Sequence, residues 1–189
     1  ANFTKHRSAS HSLFVEAAVS PAVAWIIGRV HATTMPFRLE RWLLALLCLV
    51  THALLDGLTV YGTQLFWPLP VSPTTWSTVF IIDPAYTLPL IVGLIGAGLS
   101  RQHGRRWNRW GLMVSSAYLV FTIAAKIHVD RVAIASLEGE ADSRIFMSMA
   151  TPFNALLWRF VVVDDEEYRE GYYSLFDVAE KALSQGFDP

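Results

Sequence analysis

The apolar positions of this sequence gather into four long stretches, which charged or polar segments separate. The stretches are Leu13–Val30, Trp42–Tyr61, Ala85–Leu99 and Trp110–Ile127. A membrane-spanning helix needs about 20 mainly apolar residues, and the second and fourth stretches qualify well. The first is marginal because Glu16 lies inside it, and the third reaches a usable length only if it begins near Phe80. The pattern predicts an all-α membrane protein with about four transmembrane helices.

The pattern changes after the fourth stretch. Residues 130–145 are charged and are predicted to continue as a helix, whereas Phe146–Met149 and the β-branched run Trp158–Val163 are typical of short strands. The acidic run 164–167 is predicted to be a turn, and residues 171–183 a strand or turn that leads into a helix. We therefore expect a transmembrane helical domain, residues 1–130, and a small α+β tail, residues 131–189.

Arginines mark two of the connections between the apolar stretches. Arg29 at the end of the first stretch, with Arg38 and Arg41, marks the connection to the second, and the connection from the third to the fourth carries Arg101, Arg105, Arg106 and Arg109, whereas residues 62–84 contain no Lys or Arg. Cytoplasmic loops carry the excess of Lys and Arg, so we expect both Arg-rich loops in the cytoplasm. The N-terminal segment, residues 62–84 and the tail are then extracytoplasmic, in a multi-pass protein of the plasma membrane.

The composition agrees with a lipid environment. Hydrophobic residues make up 53% and charged residues 16% of the 189 positions, compared with roughly 45–50% and about 25% in soluble domains. A very apolar soluble helical bundle is the alternative, which the length and number of the apolar stretches disfavour. The net charge of −1 gives no electrostatic argument for nucleic acid binding, and the single Cys48 excludes an intramolecular disulfide and a cysteine-based zinc cluster.

The second stretch contains an ionisable pair, His52 and Asp56. Their spacing of four residues places them on one helical face, one turn apart. Ionisable groups inside a membrane span are costly and are candidates for function. A structural His–Asp hydrogen bond between packed helices, a shared metal ion and ligation of haem are three alternatives that this pair alone leaves open.

Two further histidines, His6 and His11, flank Arg7 near the start of the chain. In the predicted topology they lie at the outer end of the first helix, where the ionisable pair of the second helix is also expected. Asp83 opens the third helix from the same side. Taken alone, such histidines are most often solvated. Three His and one or two Asp that converge suit zinc or another divalent ion.

A divalent ion at such a site implies hydrolysis, because it lowers the pKa of a bound water to about 7. Arg7 is a candidate to hold an anionic group such as phosphate, or else an interfacial anchor of the first helix. Lys126 is a candidate to stabilise developing negative charge, or else a side chain that reaches the outer interface. Asn154 is a candidate to orient substrate, or else the cap of a turn.

Small and polar residues in the third and fourth stretches predict helix packing. Gly93, Gly96 and Gly98 allow close contact between helices and imply no catalysis. Ser115, Tyr118 and Thr122 form a polar stripe that either faces the cavity of His52 or mediates packing.

Seven motifs together resemble those of one family. They are HRSASHS, THALLDGLTVYGTQLFWPL, FIIDPAYTLPL, GRRWNRWGL, SSAYL, TPFNALLWR and EGYYSLFD, in order from His6 to Asp177. In these motifs the chain is similar to the bacterial inner-membrane metal-dependent hydrolases of the YdjM type, also described as LexA-regulated, membrane-associated hydrolases. The resemblance implies a divalent metal site at His6, His11, His52 and Asp56, with Asp83 and Asn154 in further motifs. It also implies a distant similarity to zinc-dependent phospholipase C.

Family members usually begin with a further hydrophobic segment that carries a Pro-Asp-x-Asp motif, and they often continue past the YYSL motif. This sequence lacks the first segment and ends soon after the YYSL motif, as expected of a fragment whose metal site lacks upstream carboxylates. We expect a metal-dependent hydrolase at the outer face of a bacterial inner membrane. Membrane lipid surrounds it, zinc is the expected metal, and a lipid or lipid-linked phosphoester is the expected substrate class. The alternative is a non-catalytic membrane protein whose His and Asp residues only tie helices together.

Overall fold

A computed structural model describes residues 9–30, 38–100, 102–137, 145–163 and 168–176. A 3-10 turn, Ala9–His11, comes first. It is followed by α1 (Leu13–Val30), α2 (Arg38–Gly57), α3 (Pro84–Leu99), α4 (Gly104–Leu137), β1 (Ile145–Ala150), β2 (Leu157–Val163) and β3 (Tyr168–Ser174). The chain forms two compact units, residues 1–76 and residues 77–189. The division after residue 130 stays a prediction, and α4 runs through that position without a break.

The four predicted helices are present, but the helices that have the length and composition of a membrane span are only in part the ones that the sequence favours. Among the described residues, α1 and the segment Gly104–Ala135 of α4 are long and apolar enough to cross a membrane. The helix of the second stretch, α2, is not among them, because it begins at Arg38 and so includes a charged first turn, and its crossing of the membrane stays a prediction. The third stretch begins at Pro84 rather than near Phe80, and its 16 residues span only about 24 Å.

The first unit is built on the contact between α1 and α2, which buries small and polar residues rather than large apolar ones. The buried positions are Glu16, Ser20 and Ala24 of α1 and Ala45, Ala53 and Gly57 of α2. Large side chains lie on the outer surfaces, where Trp25 is 62% exposed and Leu47 is 59% exposed. Helices in lipid pack in this way, with small residues at the contact and large apolar residues toward the acyl chains. The arrangement supports membrane association.

Residues 58–76 form a loop that joins the beginning of α1 to the end of α2. The backbone N–H of Leu13 donates to the carbonyl of Leu65 at 3.0 Å, and the N–H of Trp76 donates to the carbonyl of Gly57 at 2.9 Å. Within the loop, Thr63 and Thr74 form an isolated antiparallel bridge. The loop therefore fixes the two helix ends that carry the candidate site.

The second unit pairs α3 with α4 through a close approach of the two backbones. A Cβ atom added at Gly93 would lie 3.0 Å from Cα of Gly111, and one added at Gly96 would meet the ring of Trp107 at 2.6 Å. The predicted close contact is confirmed at these two glycines. It is wrong at Gly98, where a Cβ atom would meet nothing within 4 Å. The Ser115 hydroxyl donates to the carbonyl of Tyr86 at 2.8 Å, which supports the packing role of the polar stripe.

We expect Gly111→Ala to destabilise the second unit. The added Cβ would lie 2.7 Å from the carbonyl oxygen of Pro89, a backbone atom that cannot move aside, and overpacking of this kind costs about 1–3 kcal/mol. Gly98→Ala is the matched control, since it adds the same methyl group where space is open. The measurement is the thermal unfolding midpoint of each variant in detergent. Equal midpoints for the two variants would contradict this account of the helix contact.

The chain continues into a small antiparallel sheet with the strand order β1-β2-β3. Buried and exposed residues alternate along β2, and Trp158, Phe160 and Val162 are buried. They pack with Ala125 and Val129 of α4 in one hydrophobic cluster. The predicted strands are thus confirmed, and a third strand, Tyr168–Ser174, joins them. The predicted turn at 164–167 and the predicted helix that follows Phe176 lie outside the described residues.

Candidate metal centre

The first part of the candidate site is the turn that precedes α1. His11 ends the 3-10 turn, and the next residue, Ser12, is fully buried. The Ser12 hydroxyl donates to the carbonyl of Trp67 at 2.5 Å, while its own carbonyl accepts the N–H of Glu16 at 2.8 Å. Ser12 thus begins the helix and attaches it to the loop. This holds the His11 ring at the head of α1.

The second part is the last turn of α2. His52 and Asp56 lie one helical turn apart, as their spacing predicts. The helix ends immediately afterwards, at Gly57, and the Thr59 hydroxyl donates to the carbonyl of Asp56 at 2.7 Å. This bond satisfies one of the carbonyl groups that a helix end leaves without an intrahelical partner. Both side chains are therefore placed on a stable turn.

The two parts meet. Nε2 of His11 lies 3.2 Å from Oδ2 of Asp56, and the ring centroids of His11 and His52 are 5.3 Å apart. One ligand atom from each of the three residues lies within 4.8 Å of the other two. The Ser10 hydroxyl lies 2.9 Å from Nδ1 of His11, so Nε2 is the nitrogen that faces the carboxylate. A hydrogen bond at the other ring nitrogen is the usual way to orient a metal-binding histidine.

The chemistry of this donor set fits a divalent ion. Zinc binds His nitrogen and carboxylate oxygen at about 2.0–2.2 Å, so two donors on one ion lie at most about 4.4 Å apart. Side-chain adjustments on the order of 1 Å would close the widest separation in the group. The side chains of His11 and Asp56 are 21% and 18% exposed, and His52 is exposed. The group is therefore reachable from solvent, and three donors would leave one position of a four-coordinate ion open.

Glu16 also lies in this region, although the sequence indicates only that it makes the first apolar stretch a marginal membrane span. It lies on the buried face of α1 and is 4% exposed. Its carboxyl group lies within electrostatic range of His52 and Asp56. Among the described residues, its Oε2 atom has no hydrogen-bond partner. A buried oxygen without a partner is costly, and a nearby cation would offset that cost. The orphaned oxygen is a second observation that fits a metal.

The other predicted metal and anion ligands fall in different places. His6 and Arg7 lie outside the described residues. Asp83 belongs to the second unit, where it is 2% exposed and caps α3. Its Oδ1 accepts the N–H of Ala85 at 2.9 Å, and its Oδ2 accepts the hydroxyl of Tyr118 at 2.7 Å. Metal binding by Asp83 stays a prediction, whereas its role in helix capping is visible.

The predicted polar residues of the second unit make contacts within that unit. Nζ of Lys126 lies 2.9 Å from Oδ1 of Asp130 and contacts the hydroxyl of Ser148, which also contacts Asp130. These contacts link α4 to β1. Oδ1 of Asn154 accepts the N–H groups of Leu156 and Leu157, at 3.0 and 2.9 Å. Asn154 therefore stabilises the turn before β2, and the catalytic and substrate-binding roles of these residues stay predictions.

Comparison with known proteins places the chain in a family. The family model described as YdjM inner membrane protein matches residues 1–129. The match covers the whole first unit, α3 and most of α4, and it ends before the sheet. Neither a curated protein nor a solved structure matches the chain.

Proposed function

This chain belongs to the YdjM inner membrane protein family, and we propose that it is a metal-dependent hydrolase of the membrane. The observation that carries the proposal is the group formed by His11, His52 and Asp56, whose ligand atoms lie within 4.8 Å of one another. Zinc is the metal that two imidazoles and a carboxylate favour. A bound divalent ion supplies a water whose pKa is about 7, and hence a nucleophile at neutral pH.

The residues around the group suit the remaining tasks of hydrolysis. Glu16 carries a buried carboxyl group beside the proposed ligands, with one oxygen that has no partner among the described residues. We assign it the role of general base, which takes the proton that the attacking water loses. Ser10 and the loop contact of Ser12 hold His11 in place. Arg7 is the candidate to hold the anionic group of the substrate.

A phosphoester, free or linked to a lipid, is the substrate class that we propose. The site lies where α1 begins and α2 ends, so if these helices span the membrane it opens at the bilayer surface. We propose that all four helices enter the membrane and that this surface is extracytoplasmic, as the distribution of arginines predicts. Phosphoesters of membrane lipids are then within reach of the site without leaving the bilayer.

A structural role is the second candidate, and one observation favours it. The 3.2 Å contact between His11 and Asp56 ties the start of α1 to the end of α2 without any metal. Under this alternative, the purified protein binds no divalent ion, and loss of either side chain weakens the contact between the two helices.

Removal and return of metal tests the proposal. We expect the full chain in detergent to hydrolyse bis(p-nitrophenyl) phosphate, to lose that activity after treatment with 1,10-phenanthroline, and to regain it when zinc is added. Release of p-nitrophenol is the measurement. The reagent's non-chelating isomer, 1,7-phenanthroline, is the control and should leave the rate unchanged. Activity that persists in the metal-free protein would rule out metal-dependent hydrolysis.

A further inference from the structure

A basic cavity lies where α1 ends and α2 begins, at the end of this helix pair that is opposite to the candidate metal centre. It takes no part in the proposed hydrolysis. Its volume is about 620 Å³, and residues from the last turns of α1 and the first turns of α2 line it. The cationic lining residues are Arg29, Arg38 and Arg41, and no acidic side chain is among the described residues that line it. At 1.5 Å per residue, Arg41 lies about 16 Å along α2 from His52, so the cavity is distinct from the metal centre.

Arg41, one of the lining residues, has a hydrogen-bond donor without an acceptor among the described residues. The guanidinium group of Arg41 packs against Gly28 of α1, and a Cβ atom at Gly28 would lie 2.0 Å from its Nη1. Its Nε atom is buried and has no hydrogen-bond partner among the described residues. Burying a guanidinium donor without an acceptor is unfavourable. An anionic ligand in the cavity would place negative charge beside this guanidinium group and so offset part of that cost.

The walls of the cavity are held in place by other contacts. Nε1 of Trp42 donates to the hydroxyl of Ser20 at 2.9 Å, and Ser20 is fully buried. The guanidinium carbon of Arg29 lies 4.9 Å from the ring centroid of Trp25, a cation–π distance. Tryptophans of this kind sit at the boundary between the acyl chains and the headgroups. These contacts place two aromatic rings and one guanidinium group at the walls of the cavity.

The shape of the cavity indicates what kind of anion fits. Its lining extends along α1 from Arg29 to Ala24 and Pro21, a length of about 12 Å at 1.5 Å per residue. One end is thus cationic, and the other is formed by small apolar side chains. Planar guanidinium groups favour phosphate, which they bind through paired hydrogen bonds. Basic cavities between membrane helices are a known setting for phospholipid headgroups.

We propose that this cavity binds the phosphate of an anionic phospholipid, with the phosphate among Arg29, Arg38 and Arg41 and the glycerol and first methylene groups beside Ala24 and Pro21. The ligand places its negative charge beside the guanidinium group of Arg41 and neutralises a cluster of like charges between the two helices. Phosphate is the recognised chemistry, and the apolar end of the cavity distinguishes a lipid from a free phosphate ion. The inference rests on the cavity alone and does not depend on the metal centre.

Equilibrium binding to the full chain in detergent tests the proposal, with short-chain dioctanoyl phosphatidylglycerol as the probe. We expect saturable binding of this lipid and at least tenfold weaker binding of dioctanoyl phosphatidylcholine and of inorganic phosphate. Arg41→Gln should weaken binding of phosphatidylglycerol at least tenfold. Arg131→Gln is the matched control, because Arg131 is exposed on α4 and does not line the cavity, and it should change the affinity less than twofold.

Arg38→Gln keeps the test decisive if Arg41→Gln fails to fold. Arg38 is exposed at the rim of the cavity, so its loss leaves the helix contact intact, and we expect it to weaken binding at least threefold. Inorganic phosphate that binds as tightly as the lipid would overturn the lipid assignment. Unchanged affinity in both folded arginine variants, or equal affinity for the two lipids, would overturn the site.

Discussion

His52→Ala is expected to abolish metal binding while leaving the fold intact. The wild-type chain, purified in detergent and equilibrated with zinc, should retain about one zinc ion per chain. The variant should bind at least a hundredfold more weakly, because two remaining ligands hold a divalent ion poorly, and even the loss of a residue that merely orients a ligand costs about 10–100-fold. Since His52 is exposed, its truncation opens no cavity in the protein. Elemental analysis of the two proteins measures the difference.

His103→Ala is the matched control for this experiment. His103 is also exposed, in the turn before α4, and is not part of the metal-binding group, so its variant should retain zinc like the wild type. Thermal unfolding of the metal-free proteins separates the two candidate functions. Under the hydrolase proposal, the midpoints of the metal-free wild type and His52→Ala should agree closely. A marked fall in the midpoint with no zinc bound to either protein would favour a structural role for the histidines.

Glu16→Gln is expected to retain zinc and to lose hydrolysis by about 10²–10⁴-fold, the usual contribution of a general base. Glutamine has nearly the same shape as glutamate, but its amide cannot accept the proton that the attacking water releases. Since Glu16 is not part of the group whose ligand atoms lie within 4.8 Å, the zinc content should not change. Turnover of bis(p-nitrophenyl) phosphate and elemental analysis, carried out on the same preparation, provide the two measurements.

Glu40→Gln removes the same charge from an exposed position at the start of α2, and it should leave both the rate and the zinc content as in the wild type. If Glu16→Gln hydrolyses the substrate as fast as the wild type, Glu16 is not the general base. If instead it loses zinc together with activity, the carboxylate is a ligand, and the donor set contains four residues rather than three.

The helices show how far an apolar pattern predicts a membrane fold. α1 occupies the predicted bounds, whereas α2 begins four residues earlier and α4 ends ten residues later than the apolar stretches. Helical hydrogen bonding does not stop where apolar residues stop, so the apolar stretch misses the charged first turn of α2. The predicted continuation of the fourth helix past residue 130 is confirmed as far as Leu137. The extension of α4 is also stabilised by tertiary contact, since Val129 packs into the cluster beneath the sheet. Contacts of this kind are not encoded in local periodicity.

The candidate site was only partly predictable for a related reason. The four-residue spacing of His52 and Asp56 requires no more than a helix to bring the two side chains together. His11 reaches them because Leu13 and Ser12 bond to the loop at Leu65 and Trp67, and a sequence gives no such distance. Glu16 did carry a signal, since an acidic residue inside an apolar span is itself a candidate for function. In sequence alone, that signal cannot be separated from the cost of an acidic group in a span, because nothing local shows that Glu16 faces His52 and Asp56.

The contact between α1 and α2 gives the proposed metal centre a second role, which is to hold the two helices together. Two of the candidate ligands come from α2 and the third, His11, comes from the turn that precedes α1, while the buried contact between the two helices consists largely of small side chains. An ion bound by all three residues would link the start of α1 to the end of α2, because the three ligands come together only when the two helices are in register. At a free metal concentration a hundredfold above the dissociation constant, such an ion would raise the free energy of unfolding by about 2.7 kcal/mol. The concentration of available metal would then set the stability of the α1–α2 pair as well as the fraction of the protein that is competent for hydrolysis.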